Sequence, residues 1–171
     1  MTEMLASLLA VLEEQERRLV FTEFDNVTAW DLGVRIREMG LAHGHAIVVS
    51  IRRHGQLLFH AALPGSSADN DGWVDRKAAV VDRYGHSSYL VGTQFRLNGR
   101  DFDTHSRLDL DHFAAHGGSF PVNIRDVGCV GSVTVSGLSQ ADDHNLVVAA
   151  IEDFLNNAEH AQGSKAGGGA D

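Results

Sequence analysis

Three groups of residues carry the chemistry this chain has to offer. Asp142-Asp143-His144 sets two carboxylates beside an imidazole at the start of a helical stretch. A carboxylate there can orient the imidazole as a base or an iron ligand. The same acids also favour the positive end of a helix dipole, with the histidine tied to a neighbouring loop or subunit. Trp73 and Lys77 are one helical turn apart, next to Asn70. An ammonium beside an indole suits an anionic ligand such as a carboxylate or propionate. The competing reading is a core tryptophan with a lysine snorkelling past it. His112 and His116, with Asp109 and Asp111 nearby, have a spacing that can hold a divalent cation, and equally read as loop-ordering side chains.

Other polar residues offer less. Gly117-Gly118 either relieves backbone crowding or lets a flat ligand approach. Ser66-Ser67 and Ser87-Ser88 lack the strand–turn–helix setting of a serine nucleophile. Cys129, beside an apolar strand, reads as a buried, inert thiol, and a single cysteine excludes an internal disulfide.

These side chains need elements to position them. Leu5, Leu8, Leu9 and Leu12 recur at helical spacing over Met4 to Arg18, and Leu19 to Phe24 reads as a short strand. Asp25-Asn26 caps a second helix with Trp30, Val34 and Leu41 on one face. Ala46 to Ile51 and Gln56 to Ala62 form a hairpin around Arg53-His54-Gly55. A helix from Asp71 to Tyr84, capped by Asn70, puts Val74, Lys77, Val81 and Tyr84 on one stripe. Gly85 stops it, and Ser87-Ser88 starts another that ends at Asn98-Gly99. The stretch 100–115 is irregular, with one helical turn at Asp111 to Ala115.

A second hairpin follows, in which Phe120, Val122 and Ile124 alternate with polar residues and Val130 to Val135 returns. Gly131 leaves room there for another backbone or a ligand. Ser139-x-x-Asp142 opens the last helix as a capping box, with Val147, Ala150, Ile151, Phe154 and Leu155 on its buried face. The order predicts an α+β fold: an antiparallel sheet with helices packed on it, as one domain over 1–160. A Gly/Ala-rich flexible tail is expected over 161–171.

Composition narrows the partners. With 14 basic against 23 acidic residues the net charge is −9, and the basic residues are scattered, which argues against nucleic acid. No apolar run approaches a membrane span and no signal peptide opens the chain, so a cytoplasmic protein without a membrane partner is expected.

Several motifs together resemble the GlcG/HbpS-like superfamily, the haem-degrading domain, in its bacterial and fungal branch. They are Ala61-Ala62-Leu63-Pro64-Gly65, Asp69-Asn70-x-x-Trp73-x-x-x-Lys77, Ser87-Ser88 and Ala114-Ala115-His116-Gly117-Gly118-Ser119-Phe120-Pro121-Val122. Val130-Gly131-x-Val133-Thr134-Val135-Ser136-Gly137-Leu138 and Asp142-Asp143-His144-x-Leu146-Val147-Val148 complete the set. The resemblance implies a profilin-like fold, a homo-oligomer and, as in some superfamily members, haem as cofactor or substrate. On this reading a small organic ligand sits between the helix of Asn70, Trp73 and Lys77 and the loop of His116, Gly117 and Gly118. Asp143 and His144 join it from the last helix. A non-catalytic oligomeric scaffold for protein partners is the alternative.

Overall fold

Alternation of polar and apolar residues gives this sheet two different faces, and they decide what lies on each. The computed structural model describes residues 1–166, with side chains through residue 158. Four strands, β1 (Val48–Arg53), β2 (Gln56–Ala62), β3 (Ser119–Ile124) and β4 (Gly128–Ser136), form one antiparallel sheet in the order β2-β1-β4-β3. Val49, Ile51, Phe120, Val122, Val133 and Val135 make the apolar face. On it pack Ala29, Leu32 and Ile36 of α2 (Asn26–Ala42) and Val147, Ala150 and Ile151 of α6 (Gln140–Ala166). This burial supplies the main hydrophobic driving force of the fold.

Small hydroxylic residues line the other face. Ser50, Ser119, Ser132, Thr134 and Ser136 are all buried, and the hydroxyls of Ser119 and Thr134 are 2.7 Å apart. α3 (Ala68–Tyr84) lies over them, chiefly along β4. A smaller apolar cluster joins α3 to α4 (Ser88–Leu97) and α5 (Phe102–His105) through Val80, Val91, Phe102 and Ala115.

The expected hairpins are present. His54 and Gly55 both take positive φ between β1 and β2, as a two-residue hairpin turn requires. Gly131 is a close-approach glycine: a Cβ there would sit 1.9 Å from the Arg52 carbonyl oxygen.

Five local expectations are corrected. Leu19 to Phe24 is not a strand; it makes a single parallel bridge, Phe21 to Ile124, and is held by burial of Leu19, Phe21 and Phe24. On α2 the buried stripe is Ala29, Leu32, Gly33, Ile36 and Gly40, because Gly33 leaves room for the Phe59 ring. Trp30 and Leu41 are therefore exposed, Trp30 meeting Phe59 edge-on. α3 starts at Ala68 with Ser67 as cap, and Asn70 is the reciprocal partner of a capping box. The helical turn between α4 and β3 falls at Phe102–His105, where Asp101 caps it through Thr104 N–H, not at 111–115. Cys129 is exposed at the start of β4, though burial of its sulfur pushes the thiol pKa up. The tail expected over 161–171 lies outside the described residues from 167 on, and α6 overlaps its first part.

α1 (Thr2–Arg18) is fastened to this body by polar contacts. Glu16 accepts from Ser87 N–H at the start of α4 and meets His86 Nδ1, each at 2.7 Å. His144 on α6 donates from Nε2 to Gln15 Oε1 at 2.8 Å, and its Nδ1 has no partner. Burial pulls this imidazole from 6.5 down to about 4, so the fold holds it neutral. The unfolded chain binds the proton more tightly. The stabilising contribution is therefore complete above the unfolded value and is lost as pH falls through that window, by about 3 kcal/mol. Denaturant melts at pH 7 and pH 4.5 should show His144→Leu losing less stability than wild type between the two. Equal losses would contradict a neutral, buried His144.

Candidate functional site

Lys77 is 2% exposed, and its ammonium is fully committed. It donates to Val135 O at 2.7 Å, Gly117 O at 3.0 Å and Asp143 Oδ2 at 3.0 Å. Asp143 is also buried, and its second oxygen accepts from Leu138 N–H at 3.0 Å. Burial pulls Lys77 below the usual lysine range and pushes Asp143 above the usual carboxylate range, while their mutual attraction opposes both. One side chain thus ties together α3, the loop before β3, strand β4 and the first turn of α6.

This pair forms the floor of a cavity of about 250 Å³. The first two turns of α3 supply Asp69, Asn70 and Trp73 to its wall, and the first turn of α6 supplies Gln140 and Asp143. His116, Gly117 and the segment from Ser136 to Leu138 close it. Trp73 meets the His116 ring edge-on, with centroids 5.3 Å apart, and carries the Arg76 guanidinium 4.1 Å from its own ring centroid. His116 stands at the rim, yet shielding of its ring by neighbours pulls the imidazole below its usual value. Its other side faces a smaller cavity of about 110 Å³ with Arg96, Asp101 and Asp103.

Six of the eight residues singled out in the sequence line this cavity: Asn70, Trp73, Lys77, His116, Gly117 and Asp143. Gly118 lies behind it, where φ is +128° and a Cβ would come within 2.4 Å of both Lys77 Nζ and Val135 O. At Gly117 a Cβ would fall 2.0 Å from Gln140 O. Both glycines are needed for chain packing. His144 does not reach the cavity: its ring is 1% exposed and packs against Tyr89 and Phe120. Adjacent positions on a helix diverge by about a quarter turn, so Asp143 and His144 serve different sides of α6. His112 is exposed, bonds to Asp109 at 3.0 Å and does not line the cavity. Among the described residues no group of three or more His, Cys, Asp or Glu is placed to hold a metal ion.

Sequence reasoning missed Gln140. Its Oε1 is buried at the cavity and has no hydrogen-bond partner. The only signal it gives in the sequence is its position directly after the capping Ser139.

Removing one half of a buried pair strands the other charge, so Lys77→Met and Asp143→Leu should each cost about 3–5 kcal/mol in denaturant melts. The double variant should cost less than the sum of the two by about 0.5–3 kcal/mol. Additive losses would show that the two side chains do not support each other.

Residues 24–152 match the family described as haem degrading protein HbpS-like. A UPF0303 protein of Streptomyces coelicolor is 57% identical over 150 residues, covering 88% of this chain and 95% of that one. The crystal structure of the Ybr137w protein has a TM-score of 0.81 at 30% identity, covering 88% of each chain. A crystal structure of a PduOC–haem complex has a TM-score of 0.63 at 20% identity over 78% of this chain and 94% of that one, which speaks for the fold alone. The chain belongs to the HbpS-like family of haem degrading proteins.

Proposed function

We propose that this chain is a ligand-binding member of its family and that the cavity beside Trp73 takes a compact polar organic molecule rather than intact haem. The observation that carries this reading is the cavity of about 250 Å³ itself, whose wall sets Asp69, Asn70 and Gln140 beside the rings of Trp73 and His116. Trp73 and His116 beside it supply an aromatic flank.

Intact haem does not fit the same residues. The cavity of about 250 Å³ is below the roughly 300–1,000 Å³ of sites for drug-sized ligands, and an iron porphyrin is larger than such ligands. Lys77, expected to meet a propionate, has given all its hydrogens to protein acceptors. His144, expected as an iron ligand, is sealed in the core against Tyr89 and Phe120. His116 is the remaining imidazole on the wall.

Self-association belongs to the same reading. Val27, Trp30 and Leu57 are 65%, 59% and 51% exposed around the open edge of β2, a surface suited to a second chain.

Haemin titrated into the protein and followed in the Soret region should give no saturable, stoichiometric shift beyond that of an unrelated acidic protein. A saturable shift abolished in His116→Ala would overturn the exclusion of haem. Sedimentation velocity on the same sample should give a species larger than one chain; a monomer at high concentration would remove self-association from the reading.

A further inference from the structure

Taking the chain to self-associate, as proposed from its exposed apolar surface, we infer that β2 pairs antiparallel with β2 of a second copy across a two-fold axis beside Ala61, joining two four-stranded sheets into one. The two edges of the sheet are finished differently. At the β3 edge Phe21 N–H bonds to Asn123 O at 2.8 Å and Arg125 N–H bonds to Phe21 O at 2.9 Å, so the segment before α2 covers it. Pro121 stands in that strand too, with no hydrogen on its nitrogen to offer a further strand. The β2 edge has neither device. Residues 56–62 hold no proline and no Asp, Glu, Lys or Arg, the residues that keep an edge strand from pairing.

In an antiparallel pair only alternate residues bond to a given neighbour. Leu63 N–H bonds to Ile47 O at 2.9 Å, and with the pairs Val49–Ala61 and Ile51–Phe59 this turns Phe59, Ala61 and Leu63 toward β1. His60 and Ala62 therefore point their N–H and C=O groups outward, where they have no partner among the described residues. A register shift between Ile51 and Arg52 ends the regular run, so these two residues are the template for a further strand. An axis beside Ala61 sets His60 of one copy opposite Ala62 of the other, in two pairs that each exchange both hydrogen bonds. The small alanine at the axis lets the strands close, and the two imidazoles do not face each other. Each His60 ring is held on Asp71 of α3 at 2.7 Å. Exposed Val27, Trp30 and Leu57 flank the ladder with apolar surface. With no fixed charge on β2, the net charge of −9 is kept off the line of contact.

Amide hydrogen exchange in ¹⁵N-labelled protein tests this at two concentrations, chosen by sedimentation velocity so that the associated species dominates one and the single chain the other. The His60 and Ala62 amides should exchange at least about ten-fold more slowly in the associated species, while the Ala61 amide, bonded to β1 in both, should not change. Ala62→Pro removes an outward N–H and leaves the ladder to β1 intact. It should weaken self-association about ten-fold or more, as loss of two symmetry-related hydrogen bonds does. An associated species in which His60 and Ala62 exchange as fast as in the single chain would overturn the strand pairing and leave self-association to another surface. A single chain at every concentration would remove self-association itself, and the inference with it.

Discussion

The fold turns on a buried lysine whose charge is answered on every side. Moving an ammonium and a carboxylate out of water costs several kcal/mol per ion even after the protein relaxes. That cost is offset only when nearly every hydrogen and lone pair finds a partner. Lys77 meets this with two carbonyls and Asp143, and Asp143 meets it with Lys77 and the Leu138 amide. The acceptors come from separate parts of the chain, so the pair forms only when α3, β4, the loop before β3 and α6 are all in place. It also dictates its surroundings, since a side chain at Gly118 would run into the ammonium.

The sheet makes this arrangement possible. Its valine and phenylalanine face drives burial against α2 and α6, and its serine and threonine face lets α3 come close to β4. Close approach brings the lysine within reach of the β4 backbone. It also sets the first turns of α3 and α6 opposite each other, with the cavity between them. A bulkier residue at Ser119, Ser132 or Thr134 would push α3 outward and open the contact that seats Lys77. The wall of the cavity is thus fixed by the same packing that stabilises the molecule, and beside the ion pair it carries Asp69, Asn70, Gln140 and the rings of Trp73 and His116.

Much of this was legible in the sequence because period and turn chemistry are local. Both hairpins and the α+β class follow from spacing and turn chemistry, and the grouping of Asn70, Trp73, Lys77, His116, Gly117 and Asp143 follows from the resemblance to the family. Roles set by distant contacts were not legible. Spacing says that Lys77 shares a stripe with Val74 and Val81, but not that two carbonyls and a carboxylate converge on its nitrogen. His144 was read with its neighbour Asp143, although a helix sends adjacent side chains in different directions. The buried stripe of α2 was misplaced because Gly33 makes room for an aromatic ring from another element. Gln140 went unnoticed because an unpaired acceptor exists only once the surrounding chain has closed over it.

Since Lys77 and Lys165 are the only lysines in the chain, the Lys77 ammonium can be observed directly. With ¹⁵N-lysine and Lys165→Arg for assignment, the Lys77 Nζ signal at neutral pH should be that of a charged ammonium in slow exchange with water. It should collapse to solvent-like exchange in Asp143→Asn. A Lys77 Nζ that exchanges in the wild-type protein as fast as a surface lysine would contradict the buried ion pair and, with it, the account of the site built upon it.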